Sequence, residues 1–224
     1  MFRFLTRPAA LAAALSCFAL LGPASAAHAA DEELWMRAGV RYQHNKRLRL
    51  DFAQHIRFHT DPWRVDNVMP DLSGNYDVKK WLRFSLGYRY LQMRNKFERF
   101  VEWHRIYADV RVKGKSHKFK VSNRLRYQEQ RSSDFSAQNR HWFRDELLFG
   151  YDTDSFWDPF VGGELYYAVA GQDGTGFQKY RLEAGIDFTV GNHQLGVEYR
   201  YENKLLDAGD PSLNILVLSY FFDL

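Results

Sequence analysis

Residues 214–224 read Asn-Ile-Leu-Val-Leu-Ser-Tyr-Phe-Phe-Asp-Leu. Leu216, Leu218, Tyr220, Phe222 and Leu224 occupy every second position, and a period of two puts them on one face of a β-strand. Ile215, Val217, Ser219, Phe221 and Asp223 make a mixed opposite face. An exported chain that stops on such a strand suggests an outer-membrane β-barrel closed by its C-terminal strand.

The same period runs back through the chain. Strands are predicted near 34–42, 47–59, 68–78, 82–90, 100–112, 118–130, 142–151, 160–169, 177–190 and 194–202. In the fourth, Leu82, Phe84, Leu86, Tyr88 and Tyr90 alternate with Arg83, Ser85, Gly87 and Arg89. The third is the weakest, because Pro70 and Gly74 interrupt it. Gln54 breaks the apolar face of the second without evident reason. Turns are expected at 43–46, 79–80, 113–116, 152–158 and 191–192, and longer polar loops between them, with His59 to Asp66 as the first.

With the closing segment this makes eleven strands, whereas a single-chain bacterial barrel has an even number. The expectation is therefore an all-β, antiparallel up-and-down transmembrane β-barrel of about twelve strands, the missing one near Trp63 to Pro70. Ten is the alternative.

The N-terminus begins Met-Phe-Arg-Phe-Leu-Thr-Arg, continues through an apolar run from Ala9 to Leu21, and exits through small residues to Ala27-His28-Ala29. That order of basic, apolar and small residues predicts a cleaved signal peptide over 1–29 and one barrel domain over 30–224, in the cell outer membrane. Cys17, the single cysteine, lies inside the apolar run, in a poor context for lipid attachment. The mature chain would hold no thiol.

Removing Arg3 and Arg7 leaves 29 basic against 27 acidic residues, from 31 and 27 in the whole chain. This near balance, with no dense Lys/Arg cluster, argues against a nucleic-acid partner. Mean hydropathy is −0.49, as expected where strands alternate apolar and polar residues. Aromatic residues make up 17 % of the chain, enough for girdles at two interfaces, and the six tryptophans fall mostly near predicted strand ends.

Several short motifs carry a family resemblance: Trp35, Tyr88-Arg89-Tyr90, His104-Arg105, the run from Asn123 to Arg131, Pro159-Phe160-Val161 with Glu164, and Tyr180-Arg181-Leu182. Together the residues resemble domain-of-unknown-function family 2490 of proteobacterial proteins, over essentially the whole mature chain. The resemblance implies a barrel and carries no activity.

The chemistry visible in the sequence is a charge ladder on the polar strand faces. Arg83, Arg89, Arg105, Arg111, Arg124, Arg126, Arg181 and Arg200, with Asp109, Glu164, Glu183 and Glu198, would point into the lumen. They would either fill it with ion pairs or line a narrow constriction for small ions or solutes.

Catalytic alternatives are thin. A lipid-modifying hydrolase would present His and Ser two residues apart, and no His-x-Ser occurs; Lys120 precedes Ser122 at that spacing. His59, Asp61 and Asp66 could form an omptin-like rim cluster, but Asp-Pro and Asp-Asn are common turn pairs. His55 and His59, four residues apart on a strand, lie about 13 Å from one another, too far to share an ion.

The reading is a non-enzymatic, monomeric barrel with no cofactor or metal. Its expected partners are outer-membrane lipid, lipopolysaccharide, and the assembly machinery that engages the C-terminal strand. A lipid hydrolase and a soluble periplasmic β protein stand as alternatives.

Overall fold

A segment with one apolar and one charged face is stable only where the two faces meet different media. Closing a sheet on itself provides this, because every strand then turns one face inward and one outward. The structure, a computed structural model, describes residues 31–60, 63–95, 97–133, 139–171, 174–205 and 212–224. The proposed signal segment and Cys17 lie outside the described residues.

Among the described residues, eleven strands close into one barrel. They are β1 (Asp31–Gln43), β2 (Leu48–Thr60), β3 (Trp63–Lys79), β4 (Leu82–Arg94), β5 (Phe100–Ser116), β6 (Phe119–Ser132), β7 (Arg140–Tyr151), β8 (Trp157–Gly171), β9 (Gly176–Val190), β10 (His193–Lys204) and β11 (Leu213–Asp223). Each is antiparallel to its chain neighbours, and β1 pairs parallel with β11.

The expectation of twelve strands, or ten, is thus corrected to eleven. In a meander with an odd number of strands the first and last run the same way, so their seam must be parallel. The seam holds register from Asp31 opposite Leu213 to Arg41 opposite Asp223, and Leu224 N donates to Arg41 O at 2.7 Å.

No strand hides near Trp63 to Pro70; those residues belong to β3. The expected loop from His59 to Asp66 is mostly ladder, with Thr60 paired to Trp63 and one irregularity at Arg57/Phe58 that absorbs Asp66. Pro70 has no N–H to give, and pairing of β3 with β4 skips Met69 and Pro70 between Val68–Gln92 and Asp71–Arg89. The turn expected at 113–116 is likewise strand. The β5–β6 ladder continues to Ser116 opposite Phe119, and His117, at φ 54°, makes a two-residue turn.

One end of the barrel carries the turns 44–47, 80–81, 117–118, 152–156 and 191–192; the other carries the remaining connections. These are called here the short-turn and loop ends.

The partition of side chains is the reverse of a water-soluble domain. Leu72, Leu86, Ile106, Phe149 and Leu216 are exposed on the outer wall, while Asp71, Arg105, Asp109, Arg126, Glu164 and Arg181 are buried in the lumen. Asn123 and Asp145 form one polar pair on that wall, joined by a 2.6 Å hydrogen bond, and Gln54 is another polar residue there, its amide donating to His55 O at 2.9 Å. The tryptophans divide. Trp63 and Trp81 are exposed, but Trp35 is buried at 8 % and points inward, and Trp142 also lines the lumen.

Candidate functional site: the charged lumen

Register decides which charges meet. Asp109 faces Arg126 directly across β5 and β6, and the guanidinium grips the carboxylate at 2.6 and 2.7 Å. Arg83 holds Asp77 at 2.6 and 2.7 Å in the same two-pronged way. Asp71 accepts from Arg89 Nε at 2.7 Å and from the Tyr107 hydroxyl at 2.8 Å. Such paired, planar contacts are the strong form of the ion pair.

Glu164 on β8 is the centre of the densest cluster. Arg144 donates to it at 2.7 to 2.9 Å, Arg124 at 3.0 Å and Tyr166 Oη at 2.6 Å, and Arg181 lies 3.5 Å away. Arg181 also holds Glu202, which Lys179 contacts at 2.9 Å. Arg124 and Arg111 share Glu146, and Glu183 and Glu198 share Arg200. A carboxylate taken from water is tolerated only with such full pairing.

All twelve residues singled out as a ladder, the eight arginines with Asp109, Glu164, Glu183 and Glu198, project into the lumen. The ladder was incomplete. Arg144 and Glu146 lie on the inward face of β7, whose polar side the period of two also marks, and Asp71 was obscured by the neighbouring Pro70. Trp35, Tyr107 and Tyr166 contribute ring faces to guanidinium groups; Arg126 sits 3.9 Å over the Tyr107 ring and Arg57 3.7 Å over the Trp35 ring.

Packing is uneven along the axis. In the loop half, Met69, Leu91, Gln128, Gln130, Ala168 and Ile215 are 2 % exposed or less, so side chains fill the bore. Toward the short-turn end the lumen loosens: Asp77 is 30 % and Arg111 29 % exposed. A cavity of about 590 Å³ runs between these regions.

That cavity is strongly basic. Fourteen arginines with Lys113 and Lys179 line it, against seven acidic side chains. Glu164, Glu202, Asp77 and Asp223 pair with lining cations from just outside it, which brings the acids to eleven against sixteen. The whole chain carries 31 basic against 27 acidic residues, so the fold has sorted charge.

At the loop end, Glu33, His59 and Asp66 bring ligand atoms within 4.8 Å of one another. Of the expected rim cluster, His59 and Asp66 therefore meet, while Asp61 lies outside the described residues. Arg64 holds Asp66 at 3.0 Å and Trp35 Nε1 donates to Glu33, so two of the three donors are already engaged. His55 lies elsewhere, 3.5 Å from Arg89 in the lumen wall.

The geometry defines a class: a closed β-barrel with an apolar outer wall and an ion-paired, cation-rich lumen. Within that class the chain belongs to the family described as Protein of unknown function (DUF2490), which matches residues 32–212. No curated protein matches it.

Proposed function

We propose that this protein is an outer-membrane β-barrel whose lumen is occluded in its loop half, serving as a structural or small-anion barrel and not as an open porin or an enzyme. One observation carries the reading: charges are buried inside and large apolar side chains exposed outside. In water that arrangement exposes most of the hydrophobic surface, whereas a bilayer removes it at about 25 cal/mol per Å². The hydrogen bond between Asn123 and Asp145 lowers the cost of carrying that polar pair on the wall.

On this reading the short-turn end faces the periplasm, the six tryptophans divide between girdle and lumen, and lipid and lipopolysaccharide are the surrounding partners.

The test has two parts. Expressed protein should fractionate with the outer membrane and migrate differently on a gel before and after boiling; recovery in the soluble periplasm would overturn the membrane reading. In a planar bilayer the folded protein should pass little or no steady current. Large stepwise conductance would overturn the occluded lumen.

A further inference from the structure

Four arginines on neighbouring strands of one side of the lumen have too few carboxylates. Arg37 on β1 lies directly opposite His55 on β2, and Arg57, two residues on, lies opposite Trp35. Arg89 and Arg105 face one another across β4 and β5. Arg89 lies 3.5 Å from His55 Nε2, and with Arg37 opposite that histidine, Arg57 two residues along β2 and Arg105 opposite Arg89, the five groups line one cavity.

Their partners are few. Among the described residues, neither Arg37 nor Arg57 has a carboxylate within ion-pair distance; Arg37 rests 4.9 Å from the Phe221 ring with its Nε unpaired, and Arg57 rests on Trp35. Arg105 meets only the neutral Gln130 side-chain oxygen. Arg89 alone has an acid, Asp71, which it shares with Tyr107.

The opposite wall supplies only part of the missing charge: Asp187 also lines the cavity, has no ion pair among the described residues, and acts on Arg37 from beyond ion-pair distance. Glu164 is taken by three arginines, Glu202 by Lys179 and Arg181, and Glu183 and Glu198 by Arg200. Several guanidinium groups gathered in a confined space without counter-charges are costly unless an anion joins them. All four line the cavity, whose volume admits a small solute with some water.

We propose that Arg37, Arg57, Arg89 and Arg105 form a binding site for a small multivalent oxyanion of the phosphate class, reached from the short-turn end. Planar guanidinium forks suit the tetrahedral oxygens of a phosphoryl group and bind it in pairs of hydrogen bonds. More than one negative charge is called for, because two arginines lack any acid and a third meets only an amide. His55 Nε2 can accept from Arg89 and help hold it in place. Access follows from packing, since the bore is filled on the loop side and exposure rises toward the short turns.

The site deepens the occluded-barrel reading at the same cavity, and the two can fail separately. Conductance reports passage, while anion titration reports occupancy and needs no bilayer.

The experiment titrates the full mature chain, folded in detergent, with inorganic phosphate and, separately, with glycerol 3-phosphate as a soluble lipid-headgroup probe. Trp fluorescence and calorimetry read binding, and sodium chloride at matched ionic strength is the control. Saturable binding of either probe above the chloride response is expected; phosphate assigns a free ion as the source, and glycerol 3-phosphate alone assigns a headgroup. Arg57→Gln, and Arg37→Gln with it, should weaken binding at least tenfold. Arg83→Gln, in the separate Asp77 pair, should change it less than twofold. Boiling-dependent migration confirms folding, and should a Gln variant misfold, Arg57→Lys keeps the charge without the guanidinium fork; it is expected to weaken binding, but less than Arg57→Gln does. A response no larger than chloride's in folded wild-type protein would overturn the proposal, as would equal losses in Arg57→Gln and Arg83→Gln.

Discussion

Gly87 and Tyr107 are direct cross-strand partners on the inner faces of β4 and β5, and the phenol ring lies over the bare α-carbon of the glycine. A Cβ at Gly87 would overlap that ring. Only with the ring laid flat does its hydroxyl reach Asp71 on β3, at 2.8 Å, past the intervening strand. The glycine is there for close approach, not for a special backbone conformation.

Gly87→Ala should therefore push the ring off β4 and lose the Asp71 bond. The expected cost is about 1–3 kcal/mol, the range for overpacking a filled site. Tyr107→Phe keeps the ring and loses only the hydroxyl, at about 1 kcal/mol. Urea unfolding from detergent or vesicles checks both; if Tyr107→Phe costs as much as Gly87→Ala, the ring's position is not what the glycine protects.

Glu164→Gln should be far more damaging. It removes the charge that Arg124, Arg144 and Arg181 share, at an expected cost of about 3–5 kcal/mol for breaking a buried pair. Adding Arg144→Met removes one orphaned cation and should restore part of the loss. A double variant no more stable than the single one would show that charge balance is not the cause.

The parallel seam makes a covalent prediction. Met36 and Leu218 are register partners on the outer faces of β1 and β11, and paired α-carbons on adjacent strands lie within disulfide range. Met36→Cys with Leu218→Cys should cross-link under oxidant in the folded protein, shown by mass and thiol labelling. Cys17 is the one native cysteine and falls in the predicted signal segment. Absence of the bond in folded protein would reject the eleven-strand closure.

The short-turn end carries an acid-sensitive contact outside the barrel wall. Lys115 and the Asp154 backbone N–H hold the Asp152 carboxyl at about 2, below its ordinary 3.8. A depressed folded-state value means that the stabilisation is complete above about 4 and is lost as pH falls toward 2. The pH dependence of unfolding should flatten in that window in Asp152→Asn, and the carboxyl resonance should titrate near 2. Titration near 4 would rule the contact out.

Strand after strand was legible in the sequence because the period of two is a local property: Leu82, Phe84 and Leu86 against Arg83, Ser85 and Gly87 need no knowledge of the rest of the chain. The outward and inward faces, the closing strand from Asn214 to Leu224, and the lumen position of all twelve ladder residues follow from it. The pattern weakened where backbone chemistry overrides side-chain alternation, as at Pro70 and at the irregularity beside Asp66 in β3, and there an expected loop proved to be strand.

Two things were decided only in three dimensions. Closure is one: the count of eleven was in the sequence, but the parallel pairing of Met36 with Leu218 joins ends more than 180 residues apart, and nothing local specifies it. The sorting of charge is the other. Composition shows a nearly neutral chain, and only register reveals that Glu164, Glu183, Glu198 and Glu202 pair with their neighbours while neither Arg37 nor Arg57 has a carboxylate within ion-pair distance among the described residues. Electrostatic energy depends on distance between groups, and those distances exist only once the sheet has closed.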